Sequence, residues 1–204
     1  MPDSPVPDSP VPDSPVPDPS VLDPITTDRL VLVPMTPVFL RASLDGDLDE
    51  AEAALGLSLP PGWPYAREIL SLRLWQLEAN PALQPWLLRA IGRSSTGEMV
   101  GQIGFHDAPG AQYLDEWCPG GVEFGFNVFP EHRRNGYARE ASLGLMDWAR
   151  RTHGVTGFVL SVAPGNVPSR SLTRSLGFVR VGTVIDEIDG PEDVFARIEK
   201  PRTA

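Results

Sequence analysis

The chain has one cysteine, Cys118, among 204 residues, which excludes an internal disulfide framework and a cysteine-based zinc cluster. Its three histidines, His106, His132 and His153, do not fall at HxxxH spacing, so no metal site is expected from them. No apolar run approaches the roughly 18 residues that a membrane span needs. The first residues lack a positive stretch leading into an apolar one, so no secretory signal is expected. Basic residues are also scarce. Lys and Arg number 17 against 27 Asp and Glu, and the net charge of −10 argues against general nucleic-acid binding through phosphates. The absence of disulfides fits a cytoplasmic protein. The length favours one compact domain with a sizeable core.

What charge there is lies unevenly. Residues 130–180 hold eight arginines against Glu131, Glu140 and Asp147, a local net of +5, leaving −15 elsewhere. A basic island in an acidic chain points to a local anion site. At the other extreme, residues 2–21 repeat as PDSPV, PDSPV, PDSPV and PDPSV. This segment has too little apolar surface to offset its ordering entropy, so residues 1–24 are expected to be a disordered tail. A PxxP ligand is the alternative, weakened by the absence of flanking Arg or Lys.

From Ile25 onward the pattern is that of a folded domain, residues 25–204. Arg29–Val33 reads as a strand, Pro37 to Leu57 as a helix and Ala66–Glu78 as a second helix. Trp86–Ile91 and Met99–Phe105 read as a hairpin, followed by a long loop over 107–120. Val122–Val128 alternates as a strand, and Ala138–Thr152 carries a helical apolar stripe. Phe158–Val162 is a short buried strand. Pro168–Leu176 is a helix ending at Gly177. Phe178–Ile185 and Val194–Ile198 close the domain around Asp189-Gly190-Pro191. The order predicts an α/β fold: a mixed, mostly antiparallel central sheet of about six or seven strands flanked by helices.

The most informative segment is Val122–Ala141, VEFGFNVFPEHRRNGYAREA. A strand runs through a short loop into a helix whose first N–H groups lack intrahelical partners and sit at the positive dipole end. Gly136 and Ala138 let backbone approach an anion, and Arg133 and Arg134 add charge. The combination predicts a pyrophosphate cradle. Neither GxxxxGK[ST] nor GxGxxG occurs, which excludes the Walker A and Rossmann loops. Downstream, Asn166–Phe178 reads NVPSRSLTRSLGF, with Asn166 positioned to cap a helix.

Together, the strand, the RxxGxA loop at Arg133–Ala138, the Asn166–Ser169 segment and the Leu176-Gly177-Phe178 ending resemble the GCN5-related N-acetyltransferase (GNAT) family. The opening ITTDRLVLVP and VEFGFNVFPEHRRNGYAREA resemble its RimJ/RimL-type branch. The resemblance implies acetyl-CoA as cosubstrate, no metal, and an amine acceptor, either a peptide N-terminus or a small molecule. It implies that the fourth and fifth strands, Val122–Val128 and Phe158–Val162, splay apart. Phe126 and Val128 would then hold the pantetheine arm through main-chain groups. Arg133, Arg134, Asn135, Gly136, Tyr137 and Ala138 would hold the pyrophosphate, Asn166 the pantetheine and Arg170 a phosphate. Glu123 matches the acidic residue that often begins this strand in RimJ/RimL-like sequences and is the candidate base for the amine, a structural ion pair being the alternative; a bulge in its strand is expected to aim it. Val128 N–H would face the oxyanion. Thr173 stands where many relatives carry a Tyr acid, so Ser169 is the expected substitute beside the leaving thiolate. His106 either faces the acceptor or is structural. A homodimer is a further expectation, and a non-catalytic acyl-CoA-binding domain on the same fold is the alternative function.

Overall fold

The computed structural model describes residues 22–186 and 190–199. Most of the Pro/Asp repeat and Asp189 of the closing turn lie outside the described residues. Within the segment assigned to the tail, Asp23 gives its carbonyl to Arg89 Nη1 at 3.3 Å.

The strands are β1 (Ile25–Thr26), β2 (Leu30–Pro34), β3 (Arg89–Arg93), β4 (Glu98–Phe105), β5 (Val122–Val128), β6 (Gly157–Val162), β7 (Val179–Asp186) and β8 (Gly190–Ile198). They form one sheet in the order β1-β2-β3-β4-β5-β6-β8-β7. Every neighbouring pair is antiparallel except β5 and β6. The mixed sheet therefore has eight strands rather than six or seven, the extra one being the two-residue β1. The helices are α1 (Pro37–Asp45), α2 (Leu48–Leu55), α3 (Arg67–Ala79), α4 (Tyr137–His153) and α5 (Val167–Ser175).

The single helix expected over Pro37–Leu57 is two. Gly46 takes a left-handed φ of 84° and its N–H closes α1 on the Ala42 carbonyl. Asp47 then caps α2 by accepting from Glu50 N–H at 3.0 Å. A glycine stop followed at once by an Asp start outweighs the continuous apolar spacing. The strand expected at Trp86–Ile91 begins instead at Arg89. Trp86 and Leu87 N–H both bond the Leu83 carbonyl, so this apolar run is a buried turn. Its burial comes from long-range packing: Trp86 meets Phe105, Trp148 and His153 edge-on or tilted.

One face of the sheet packs under α4, whose Ala141, Leu145 and Ala149 meet Val122, Phe124 and Phe158. The opposite face is covered in two pieces. α1–α3 bury Ala90, Met99 and Phe129 on the β3–β5 half. The segment 107–120, with Leu114 and Cys118, covers Val159, Val194 and Ala196 on the β6–β8 half. Glu123, Gly125 and Asn127 of β5 lie at the seam between those two covers.

Arg89 is wholly buried under the first face. It donates to the Asp23, Leu32 and Pro85 carbonyls and stacks on Trp148. Burial pulls its guanidinium down to about 10, so it remains a cation at neutral pH.

Candidate active site

β5 and β6 pair only at Val122–Phe158 and Glu123–Val159. Beyond that fork β5 stays with β4, while β6 follows β8. The expected splay between the strands at Val122–Val128 and Phe158–Val162 is present. The hydrogen-bond parity shows what the splay exposes. Glu123 C=O accepts from His106 N–H at 2.9 Å, and Phe129 N–H donates to Val100 C=O at 3.0 Å. Alternation in an antiparallel ladder then turns the main-chain groups of Phe124, Phe126 and Val128 away from β4, into the gap. Arg133 Nε reaches Val128 C=O from that side at 2.9 Å.

The gap opens onto the N-terminus of α4. Gly136 occupies the cap position at φ 80° and supplies no side-chain bond, so the first amides of the 17-residue helix point outward. Arg134 also has a positive φ, 65°, an unusual conformation for a side-chain-bearing residue. Such a turn gathers successive N–H groups into a concave anion nest. Asn135 closes it by donating to the His132 and Arg133 carbonyls.

The loop is fastened from outside by residues that local sequence reading missed. Glu140 accepts from Thr27 Oγ1 at 2.6 Å, from Arg29 N–H at 2.8 Å and from Arg29 Nε at 2.7 Å. Arg29 also donates to Asn135 C=O and lies over the Tyr137 ring. Only the shared opening ITTDRL hinted at this, because the partners are more than a hundred residues apart.

A cleft of about 580 Å³ joins these parts. Phe126, Val128, Arg133, Arg134, Gly136, Tyr137, Ala138, Asn166 and Ser169 line it, with Leu172 and Arg139. Asn166 caps α5, accepting from Ser169 N–H at 3.2 Å. Thr173 is buried and its hydroxyl donates to Ser169 C=O at 2.8 Å. Arg170 does not reach the cleft. It pairs with Asp193, which also holds Arg180, and lies over Phe195. The phosphate contact expected of Arg170 is therefore corrected to an ion pair on β8.

Glu123 lies on the other side of β5. The expected bulge is absent there, since Gly101–Phe105 pairs with Phe124–Val128 without a register shift. Plain alternation suffices, because the seam between the two covers lies on that face. Glu123 Oε1 accepts from Ser161 Oγ at 2.6 Å, just past the fork. Its Oε2 faces His106 Nδ1 at 3.5 Å, and the Tyr113 phenol lies close enough to favour the charged form as well. Burial opposes ionisation, but these bonds and the imidazole outweigh it and hold the carboxyl below its ordinary range. The Tyr113 phenol is pushed up, by burial first and by Glu123 second.

Glu140 is held low in the same way, burial being outweighed by the bonds from Thr27 and Arg29. A carboxyl lowered in the folded state stabilises the fold above its unfolded value, near 4.5, and loses that contribution as pH falls through the folded value. Thermal melts are expected to fall as pH drops below about 5, with a shallower fall there in Glu140→Gln. Identical acid limbs in parent and variant would contradict this assignment.

A family model described as the acetyltransferase (GNAT) domain matches residues 29–179. The uncharacterized N-acetyltransferase YjdG of Bacillus subtilis is 31% identical over 116 residues, covering 57% of this chain and 61% of its own length. The acetyltransferase of Salmonella typhimurium that modifies the N-terminal serine of 50S ribosomal protein L7/L12 superposes with a TM-score of 0.58 at 14% identity. That match covers 87% of this chain and 100% of the Salmonella one. The ribosomal-protein-S5-alanine acetyltransferase of Vibrio fischeri superposes with a TM-score of 0.57 at 12% identity, covering 86% and 96%. At such identities the shared property is the fold. The family model reaches from Arg29, which fastens the anion loop, to the first residue of β7, and on that match the chain belongs to the GNAT acetyltransferase family.

Proposed function

We propose that the protein transfers an acetyl group from acetyl-CoA to a primary amine by direct attack in a ternary complex. The observation that carries this reading is the continuous path from the splayed strands to the uncapped start of α4. Main-chain groups of Phe126 and Val128, with Asn166, hold the pantetheine arm. The amides of residues 134–138 and the Arg133 and Arg134 side chains hold the pyrophosphate, with Asn135, Tyr137 and Ala138 shaping the turn. Val128 N–H is the donor to the developing oxyanion. Ser169 lies on the cleft wall and stabilises the leaving thiolate by a hydrogen bond.

The acceptor enters along the seam on the opposite face, where Glu123 attracts an ammonium group and takes part in its deprotonation. A peptide N-terminus is one acceptor class, by analogy with the Salmonella and Vibrio proteins. A small-molecule amine is the other. The lack of a disulfide framework fits a cytoplasmic protein, and the resemblance implies a homodimer. Among the described residues no helix is long and apolar enough to cross a membrane, and no group of His, Cys, Asp and Glu gathers as a metal site.

One observation favours a second reading, an acyl-CoA-binding domain without turnover. Thr173 replaces the usual Tyr, and its hydroxyl is committed to Ser169 C=O. A panel of peptide and small-molecule amines decides between them. Amine-dependent release of free thiol from acetyl-CoA is expected. Saturable binding with no release from any amine would leave only the binding domain.

A further inference from the structure

The proton of the acceptor amine has a more accessible destination than Glu123. The Glu123 side chain is 9% exposed, and its oxygens already face Ser161, Tyr113 and His106. The His106 side chain is 41% exposed. Its ring rests on β5 where Gly125 leaves room: a Cβ there would stand 3.0 Å from Nε2. Nδ1 faces the carboxylate, and Nε2 lies over Gly125, on the strand that carries Phe126. The backbone of His106 is held on both sides. Its N–H bonds Glu123 C=O at 2.9 Å, and its C=O accepts from Arg73 Nη1 at 3.2 Å.

We propose that His106 is the general base and that Glu123 is its positioning residue. The inference rests on the transferase reading above and names the group in that site that takes the proton. The acceptor arrives as R–NH3+. Nε2 of His106 takes one proton, giving R–NH2 and an imidazolium held beside the Glu123 carboxylate. The freed lone pair forms the N–C bond, the C–S bond breaks, and the second nitrogen proton passes to the departing sulfur. The products are the acetamide and free CoA thiol, and the imidazolium returns its proton to solvent through its exposed edge. Histidine suits this duty because imidazole exchanges protons near neutral pH, whereas a carboxylate held low does not. The other charged or titratable groups around the ring are Glu123 from β5, Tyr113 from the covering segment, Arg73 from α3 and the adjacent Asp107.

The test is kcat against pH for the parent, H106A, H106Q and E123Q, alongside acetyl-CoA binding by calorimetry. The two His106 variants are expected to bind acetyl-CoA within about twofold of the parent and to lose about a hundredfold in kcat at pH 7, the usual size of acid–base assistance. They lose the acidic limb of the profile, and added imidazole restores part of the rate in H106A. E123Q is slower but keeps an acidic limb. Should H106A fail to bind acetyl-CoA, H106Q decides. His106 variants with more than about a third of the parental kcat and an unchanged limb, together with loss of that limb in E123Q, would overturn this inference alone. A parent that binds acetyl-CoA but releases no thiol with any amine would overturn the transferase reading and this inference with it.

Discussion

Replacing Arg133 and Arg134 together by alanine is expected to weaken acetyl-CoA binding about a hundredfold or more, with little change in melting temperature. Each charge-assisted bond to a phosphate contributes about 1.5–3 kcal/mol, so two at the low end account for about 3 kcal/mol. The fold loses little, because the loop is held elsewhere, by Arg29, Glu140 and the Asn135 amide. The two arginines differ in one respect that sharpens the test. Arg133 Nε braces Val128 C=O, so its loss also loosens the end of β5. Arg134 sits at a φ of 65°, where glycine is favoured. Arg134→Gly should therefore lose affinity like Arg134→Ala while gaining stability relative to it. Calorimetric titration and thermal melts on the three variants check both parts. Unchanged affinity in the double variant would mean that the anion is held elsewhere.

The second large effect concerns a position with no chemistry of its own. A Cβ on Gly101 would lie 2.3 Å from the Asn127 carbonyl oxygen and 3.0 Å from Val128 Cα. Both obstacles are backbone of β5, the strand whose free edge is assigned to the pantetheine. Relief requires the strand itself to move, since no flexible side chain can give way. Gly101→Ala is expected to cost about 3 kcal/mol, at the upper end of overpacking effects, and to lower the melting temperature by about 6–12 °C. In whatever folds, acetyl-CoA affinity should fall with stability, because Phe126 and Val128 shift against the α4 amides. Gly97→Ala provides the contrast. Nothing lies within 4 Å of a Cβ there, and its cost comes only from a positive φ of 67°. Gly101→Ala with parental stability and affinity would show that β4 and β5 do not lie as close as described.

The elements around the cofactor cleft were legible in the sequence for physical reasons that are local. The α4 stripe of Ala141, Leu145 and Ala149 has helical period, and the small residues Gly136 and Ala138 mark the anion turn. The alternation of Val122, Phe124 and Val128 was readable for the same reason. What could not be read depends on contacts between distant segments. Trp86-Leu87-Leu88 looks like a strand in isolation and becomes a turn because Trp148 and Phe105 wait above it. Arg89 reads as one more surface arginine, yet it ties Asp23, Leu32 and Pro85 together from within. Arg170 has the charge and the position for a phosphate contact, but Asp193 claims it from a strand that follows later. The acceptor seam draws Arg73, His106, Tyr113, Glu123 and Ser161 from five separate stretches. No spacing rule joins them, and of the five only Glu123 carries an acid–base reading in the sequence. The break between α1 and α2 is different in kind, since Gly46-Asp47 was a local signal overridden by the apolar pattern around it.

The account stands on the fork between β5 and β6 and the turn beyond it taking up a nucleotide thioester. Titrating coenzyme A into the purified protein by calorimetry tests this directly. One saturable site is expected, with its affinity lowered by the Arg133→Ala, Arg134→Ala double replacement and by added inorganic pyrophosphate as competitor. No heat of binding at millimolar coenzyme A, from a protein that melts cooperatively, would contradict it.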